Sequence, residues 1–142
     1  MRALFDVNVL IAMLDEQHVH HGAAHQWWLA NQREGWASCP LTENGFVRIV
    51  SQPGYANPVP TSFAIGLLGR QMTETDHAFW PDRISIGDRD LFHHDRIVSP
   101  SQLTDIYLVA LAITNEGRLV TFDRSVPLTA VRGAKARHIA VI

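Results

Sequence analysis

The chain opens on the stretch that decides its fold, Ala3-Leu4-Phe5-Asp6-Val7-Asn8-Val9-Leu10-Ile11. This apolar run, which holds one aspartate and one asparagine, predicts a short buried strand that ends near Phe5 and turns into a helix. Asp6 then stands at the carboxyl end of the strand, where parallel α/β sheets bind their ligands. Because aspartate is also a favoured helix N-cap, the stretch alone leaves two interpretations of Asp6 open, a cap or a site residue.

Length and composition favour a soluble globular protein made of one domain, residues 1–142. With 46% hydrophobic and 18% charged residues, the chain can bury a sizeable core. A net charge of −2 gives no global signature of nucleic-acid binding, although acids clustered at a metal site would mask a local excess of arginine. Cys39 is the only cysteine, so a reducing cytoplasm is the expected location. No apolar run is long enough to span a membrane.

Strand and helix patterns alternate along the chain. Short apolar runs predict strands at 3–5, 36–39, 77–80, 119–122 and 139–142, and helical spacing predicts helices over 9–14, 23–33, 41–51, 61–72 and 99–116. The segment Ser99-Pro100-Ser101-Gln102 has the pattern of a capping box, and Gly117 is the expected terminator of the helix that it starts. The alternation predicts a three-layer α/β/α domain with a mostly parallel central sheet.

Four acidic residues are expected to converge at one edge of that sheet. Asp6 and Asp123 each follow the carboxyl end of a strand, and Glu43 and Asp105 lie in the first or second turns of helices. Clustered carboxylates repel each other unless a cation neutralises them, and an all-oxygen set suits Mg²⁺ or Mn²⁺. Such a site is suited to metal-dependent hydrolysis of a phosphodiester bond.

The motifs that carry these acids resemble those of PIN-domain ribonucleases, and among these the VapC-type toxins of bacterial toxin–antitoxin pairs. The resemblance extends over essentially the whole chain. Its carriers are Leu4-Phe5-Asp6-Val7-Asn8-Val9-Leu10-Ile11, Leu41-Thr42-Glu43-Asn44-Gly45-Phe46, Thr104-Asp105 and Thr121-Phe122-Asp123-Arg124. Each motif alone is short and common, but the ordered set at this length is specific.

The resemblance implies an RNA-cleaving enzyme whose four acids hold one or two Mg²⁺ or Mn²⁺ ions. It also implies that Asn8 and Thr121 orient those ligands by hydrogen bonds, that a small antitoxin protein binds the enzyme, and that the chain forms a homodimer. The role of Glu43, as a metal ligand or as a base, is left open. The residues themselves offer Arg124 beside the site as an RNA contact. Further candidate cations at the rim are Arg48, Arg83, Arg89 and Arg96.

Other kinds of site and function are weighed against this one. The histidines around His18 to His25 invite a metal, but no acid stands at the position that a zinc-protease helix needs, so a packed or solvated helix entry is favoured. A haloacid-dehalogenase-like phosphatase needs a second acid where the chain has Asn8, and a receiver domain needs a late lysine, whereas Lys135 is the only lysine. A catalytically silent PIN-type binding module is disfavoured because all four acids are present.

Overall fold

A computed structural model describes residues Met1–Ile142 and contains five short strands and five α-helices, with one or two helices between successive strands except between β4 and β5. The strands are β1 Ala3–Phe5, β2 Trp36–Ser38, β3 His77–Phe79, β4 Arg118–Thr121 and β5 Ile139–Val141. The helices are α1 Val7–Leu14, α2 His21–Asn31, α3 Pro40–Ser51, α4 Thr61–Glu74 and α5 Leu103–Thr114. The predicted alternation is confirmed, with ends that shift by a few residues.

The strands form one sheet in the order β3-β2-β1-β4-β5, and every neighbouring pair is parallel. The central strand is β1, where Leu4 lies between Ala37 of β2 and Leu119 of β4. The chain runs outward from β1 on one side through β2 and β3, and on the other side through β4 and β5. The order of connection therefore reverses between β1 and β4, and α/β sheets bind ligands beyond the carboxyl ends of the strands at such a point.

Helices cover both faces of the sheet, so the domain has the predicted three layers. Side chains alternate along a strand, and Leu4 therefore packs into one core while its neighbour Phe5 packs into the other. The core around Phe5 includes Trp28 and Phe46 from α2 and α3, and the core around Leu4 includes Ile106 from α5. None of the helices has both the length and the apolar character that crossing a bilayer requires.

The start of α5 differs from the prediction. Ser99 makes no side-chain cap, and its hydroxyl instead contacts that of Ser101 at 2.8 Å. A 3₁₀ turn spans Pro100–Gln102, and the Gln102 side chain donates to the carbonyl of Ser125 at 3.2 Å instead of closing a capping box. The prediction of a capping box is therefore wrong, because the Gln102 side chain is hydrogen-bonded to the loop after β4. The α-helix proper begins at Leu103, which places Asp105 in its first turn.

The end of α5 also has a different cause from the one predicted. The left-handed residue is Glu116, with a φ of 57°, and the amide of the following Gly117 donates to the carbonyl of Ala112 at 2.8 Å. Gly117 is required for a close approach, since a Cβ there would lie 2.5 Å from the Trp80 ring and 2.7 Å from the carbonyl oxygen of Arg2. The glycine thus lets α5 turn back tightly into β4.

Candidate active site

Asp6 is a helix cap and also lies next to other predicted site residues, so the cap does not exclude a role in the site. It is the N-cap of α1, where its Oδ1 accepts the amide N–H of Val7 at 2.6 Å. Its Oδ2 accepts the hydroxyl of Thr121, at the end of the neighbouring strand β4, at 2.9 Å. Burial raises the pKa of Asp6, while these two hydrogen bonds oppose the increase.

Thr121 joins the two acids that follow β1 and β4. Its side chain is completely buried, and the hydroxyl that donates to Asp6 also accepts the amide N–H of Asp123 at 3.1 Å. The Asp123 carboxylate accepts from Ser125 twice, from the hydroxyl at 2.6 Å and from the amide at 2.7 Å. These bonds from Ser125 lower the pKa of Asp123, so this carboxylate is held in its charged form.

Asp105 adds a third carboxylate from the first turn of α5. Its pKa is raised to about 7, first by burial and then by the charges of Asp6 and Asp123. Asp6, Asp105 and Asp123 are thus brought together as predicted, and a proton relieves their repulsion near neutral pH.

Glu43 is held by a different set of contacts. It lies in the first turn of α3, and its Oε1 accepts the hydroxyl of Ser38 at 2.6 Å. The same hydroxyl lies 2.8 Å from the Nε2 atom of His77. No hydrogen bond joins Glu43 to the other three acids or to Thr121. Sequence reasoning missed Ser38 and His77 because they are 39 positions apart and neither belongs to a recognisable motif.

A cavity of about 400 Å³ opens beside Asp6, between α1 and α3. Its lining residues are Asp6, Val7, Asn8, Leu41, Asn44, Gly45, Arg48, Ile49 and Thr104. Asn8 is exposed there, and its side-chain amide makes no hydrogen bond within the chain. Arg48 is the cation in the lining, and Arg124 is exposed beside Asp123. The cavity therefore presents amides, a hydroxyl and one positive charge next to the acids.

The chemistry of the donor set fits a hard divalent cation. Asp6, Asp105 and Asp123 offer carboxylate oxygens from a partly buried cluster, and Mg²⁺ and Mn²⁺ prefer such all-oxygen ligands. No group of three or more His, Cys, Asp or Glu side chains in the chain has a ready-made metal-binding arrangement.

The histidines before and within α2 are engaged in packing. The His21 ring contacts the carbonyl of Ala12 at 2.7 Å, and the His20 ring lies against Phe122 with 4.8 Å between centroids. His21 and His25 are neighbours on α2, with 5.2 Å between their rings. These contacts fix the entry of α2 against α1 and the end of β4.

Comparison with known proteins shows likeness over the full length. A family model described as the PIN domain matches residues 3–132. Ribonuclease VapC44 of Mycobacterium tuberculosis is 49% identical over 142 residues, which cover 100% of both chains. Ribonuclease VapC39 of that organism is 42% identical over 139 residues, covering 94% of this chain and 96% of its own. Ribonuclease VapC38 is 39% identical over 128 residues, which cover 87% and 86% of the two chains.

Proposed function

The chain belongs to the PIN-domain family and, within it, to the VapC ribonucleases, and on that premise we propose that it is a metal-dependent endoribonuclease. The reaction is hydrolysis of RNA phosphodiester bonds, and the protein acts in the cytoplasm as the toxin of a toxin–antitoxin pair. The observation that carries the proposal is the cluster of Asp6, Asp105 and Asp123 at the point where the strand order reverses.

Asp6, Asp105 and Asp123 would hold one or two Mg²⁺ or Mn²⁺ ions. When bound, a divalent cation supplies a Lewis acid for the scissile phosphate and for the attacking water. Thr121 keeps the Asp6 carboxylate in one orientation by its hydrogen bond, and Ser125 does the same for Asp123.

The remaining polar residues act on the substrate and on water. Arg48 faces the cavity beside Asp6 and binds a backbone phosphate of the RNA, with Arg124 as a second cation at the rim. Asn8 lines the same cavity and would orient the ligands once a metal is bound there. Glu43 either completes the metal ligands or accepts the proton of the attacking water.

We further propose that a small antitoxin protein docks an apolar segment in a groove between α1, α3 and α4. Apolar side chains dominate this groove, among them Phe46, Val50 and Phe63, and the acids Asp15 and Glu16 stand at its edge. The tail of the antitoxin would reach the acidic site and block it. VapC ribonucleases pair with a small antitoxin, and the apolar lining of this groove, with Phe63 exposed at its surface, suits the apolar face of such a partner.

The experiment that tests the proposed function is a cleavage assay on RNA with Mn²⁺, with the chelated enzyme and Asp105→Asn as matched controls. We expect cleavage by the wild type with metal and almost none by either control. Hydrolysis of p-nitrophenyl phosphate in place of RNA would indicate a phosphatase. RNA binding without cleavage, at any metal concentration, would indicate a silent binding module.

A further inference from the structure

We propose that Ser38 and His77 are positioning residues for RNA cleavage, forming a hydrogen-bonded relay that fixes the carboxylate of Glu43. The proposal rests on the proposed function and deepens it. The relay joins three elements, since His77 lies on β3, Ser38 ends β2 and Glu43 lies in the first turn of α3.

The hydrogen bonds in the relay have only one consistent direction. A serine hydroxyl has one proton, and Ser38 donates it to Oε1 of Glu43 at 2.6 Å. The contact of 2.8 Å between the Ser38 hydroxyl and Nε2 of His77 therefore requires that the imidazole donates. This direction fixes the neutral tautomer of His77 as the one protonated on Nε2.

The surroundings hold both residues in place. Ser38 is completely buried, so its hydroxyl needs partners within the protein. The His77 ring packs against Trp36 on the adjacent strand, with 4.4 Å between centroids, and the Trp36 indole in turn donates to Thr75 at 2.7 Å. Burial, followed by the charge of Arg2, lowers the pKa of His77, which favours the neutral donor.

The consequence for Glu43 is a defined orientation. A glutamate in the first turn of a helix has several rotamers of similar energy, and ordering it costs conformational entropy. With Oε1 held by Ser38, the carboxylate is ordered before RNA binds, and Oε2 is left for a metal or a water. Ser38 and His77 thus act through Glu43 and do not touch the substrate.

A pair of substitutions at one position separates the relay from simple packing. His77→Phe keeps an aromatic ring against Trp36 and removes the donor, whereas His77→Gln keeps an N–H group near the place of Nε2. Under single-turnover conditions with Mn²⁺, we expect His77→Phe to lower the maximal cleavage rate by about tenfold without changing the enzyme concentration that gives half of that rate. We expect His77→Gln to stay within about threefold of the wild type.

A double-mutant cycle tests whether the effect passes through Glu43. In a Glu43→Gln background, His77→Phe should change the remaining single-turnover rate by less than about twofold, because the carboxylate that it positions is gone. Equal losses in both backgrounds, or equal losses for His77→Phe and His77→Gln, would show that His77 is only structural and would overturn the proposal.

Nitrogen NMR of the imidazole provides a test that does not depend on activity. The signal of His77, identified by its absence in His77→Phe, should show the proton on Nε2 in the wild type and a redistribution in Ser38→Ala. A proton on Nδ1 in the wild type, or no response to Ser38→Ala, rules the relay out even if RNA is cleaved. A wild type that shows the Nε2 tautomer but cleaves no RNA refutes the proposed function, and with it the role of the relay in cleavage.

Discussion

Asp105 is the residue at which the chemistry of the site and the stability of the fold oppose each other. Its charged form is disfavoured by burial and by Asp6 and Asp123, which is why its pKa lies at about 7. A folded-state pKa above the unfolded value of about 3.8 means that the native state binds a proton more tightly than the unfolded chain does. Stability is therefore lost as the pH rises from about 4 through about 7.

Removing this charge should stabilise the metal-free protein. We expect Asp105→Asn to raise the free energy of unfolding at pH 8 by an amount on the order of 1 kcal/mol. This is less than the pKa shift of Asp105 alone would give, because the side chain is partly solvated. At pH 4 the difference should vanish, since the wild-type Asp105 is then protonated. Urea unfolding at both pH values measures it. If the variant is the less stable protein at pH 8, Asp105 is a packing residue and the acidic cluster is misassigned.

Metal affinity should depend on pH for the same reason. Metal binding at the acidic cluster must displace the proton from Asp105, whose pKa is about 7. We expect the Kd for Mn²⁺ to be about tenfold lower at pH 8 than at pH 6, because the deprotonated fraction of Asp105 changes by that factor. Calorimetric titration measures both values, and Asp105→Asn should show weaker binding with little of this pH dependence. An equal Kd at the two pH values in the wild type would place the metal elsewhere.

At the scale of elements, the site depends on how closely α1 and α3 pack. Gly45 of α3 faces Val7, the first residue of α1, and a Cβ at Gly45 would lie 2.7 Å from a Val7 methyl. Valine has little rotamer freedom in a helix, so the methyl cannot simply turn away. Because Val7 directly follows Asp6, the spacing of these helices sets the position of the Asp6 carboxylate.

Gly45→Ala should therefore damage both the fold and the site. We expect a loss of about 1–3 kcal/mol in the free energy of unfolding and a clear loss of RNA cleavage. Gly66→Ala on α4 is the matched control, because nothing lies within 4 Å of its Cβ position, and it should stabilise the protein by about 0.5–1 kcal/mol. Chemical unfolding and RNA cleavage of both variants measure this. Val7→Ala should restore part of the activity of Gly45→Ala, and a failure to do so would contradict the steric explanation.

The entry of α2 is a structural element, and its histidines should be dispensable for catalysis. We expect replacement of His20, His21 and His25 by alanine to leave metal-dependent cleavage within about tenfold of the wild type. A loss of about 1 kcal/mol in the free energy of unfolding is expected, because the contact between His21 and the carbonyl of Ala12 is removed. Initial rates and unfolding curves of the triple variant supply both values. A loss of cleavage as complete as that of Asp105→Asn would instead move the catalytic metal to the histidines.

At the scale of the whole molecule, exposed apolar side chains occur on helices, on the edge strands of the sheet and in loops. Phe63 and Ile65 of α4 are 58% and 59% exposed, and Phe79 on the edge strand β3 is 52% exposed. Exposed apolar side chains of this size favour burial against another protein surface when they lie close together. Of these three side chains, Phe63 lines the proposed antitoxin groove, whereas Ile65 and Phe79 leave apolar surface outside the groove for association between copies of the chain.

Self-association is the prediction at this scale. We expect light scattering at micromolar concentration to give twice the monomer mass of 15.9 kDa. Dilution within the micromolar range should not lower this mass. A separate measurement on the protein co-expressed with its neighbouring reading frame should show a small bound partner. A protein that stays monomeric and has no such partner would contradict both proposals.

Much of the site was readable from local sequence because strand ends are local signals. Asp6 and Asp123 were predicted beyond two strands, and those strands prove to be neighbours, with Phe5 opposite Val120. An apolar run that stops at an acid carries this information within a few residues. The parallel sheet followed from the alternation of elements, which places all carboxyl ends at one edge.

Tertiary structure alone decided the features that depend on contacts between distant parts of the chain. Gln102 does not close the predicted capping box, because its side chain donates to the carbonyl of Ser125 in a distant loop. The pKa of Asp105 depends on how close the acids come, and the contacts of Glu43 depend on the register that sets Trp36 opposite His77. The local pattern of a segment fixes its period and its ends, but the choice among distant partners depends on packing over the whole molecule.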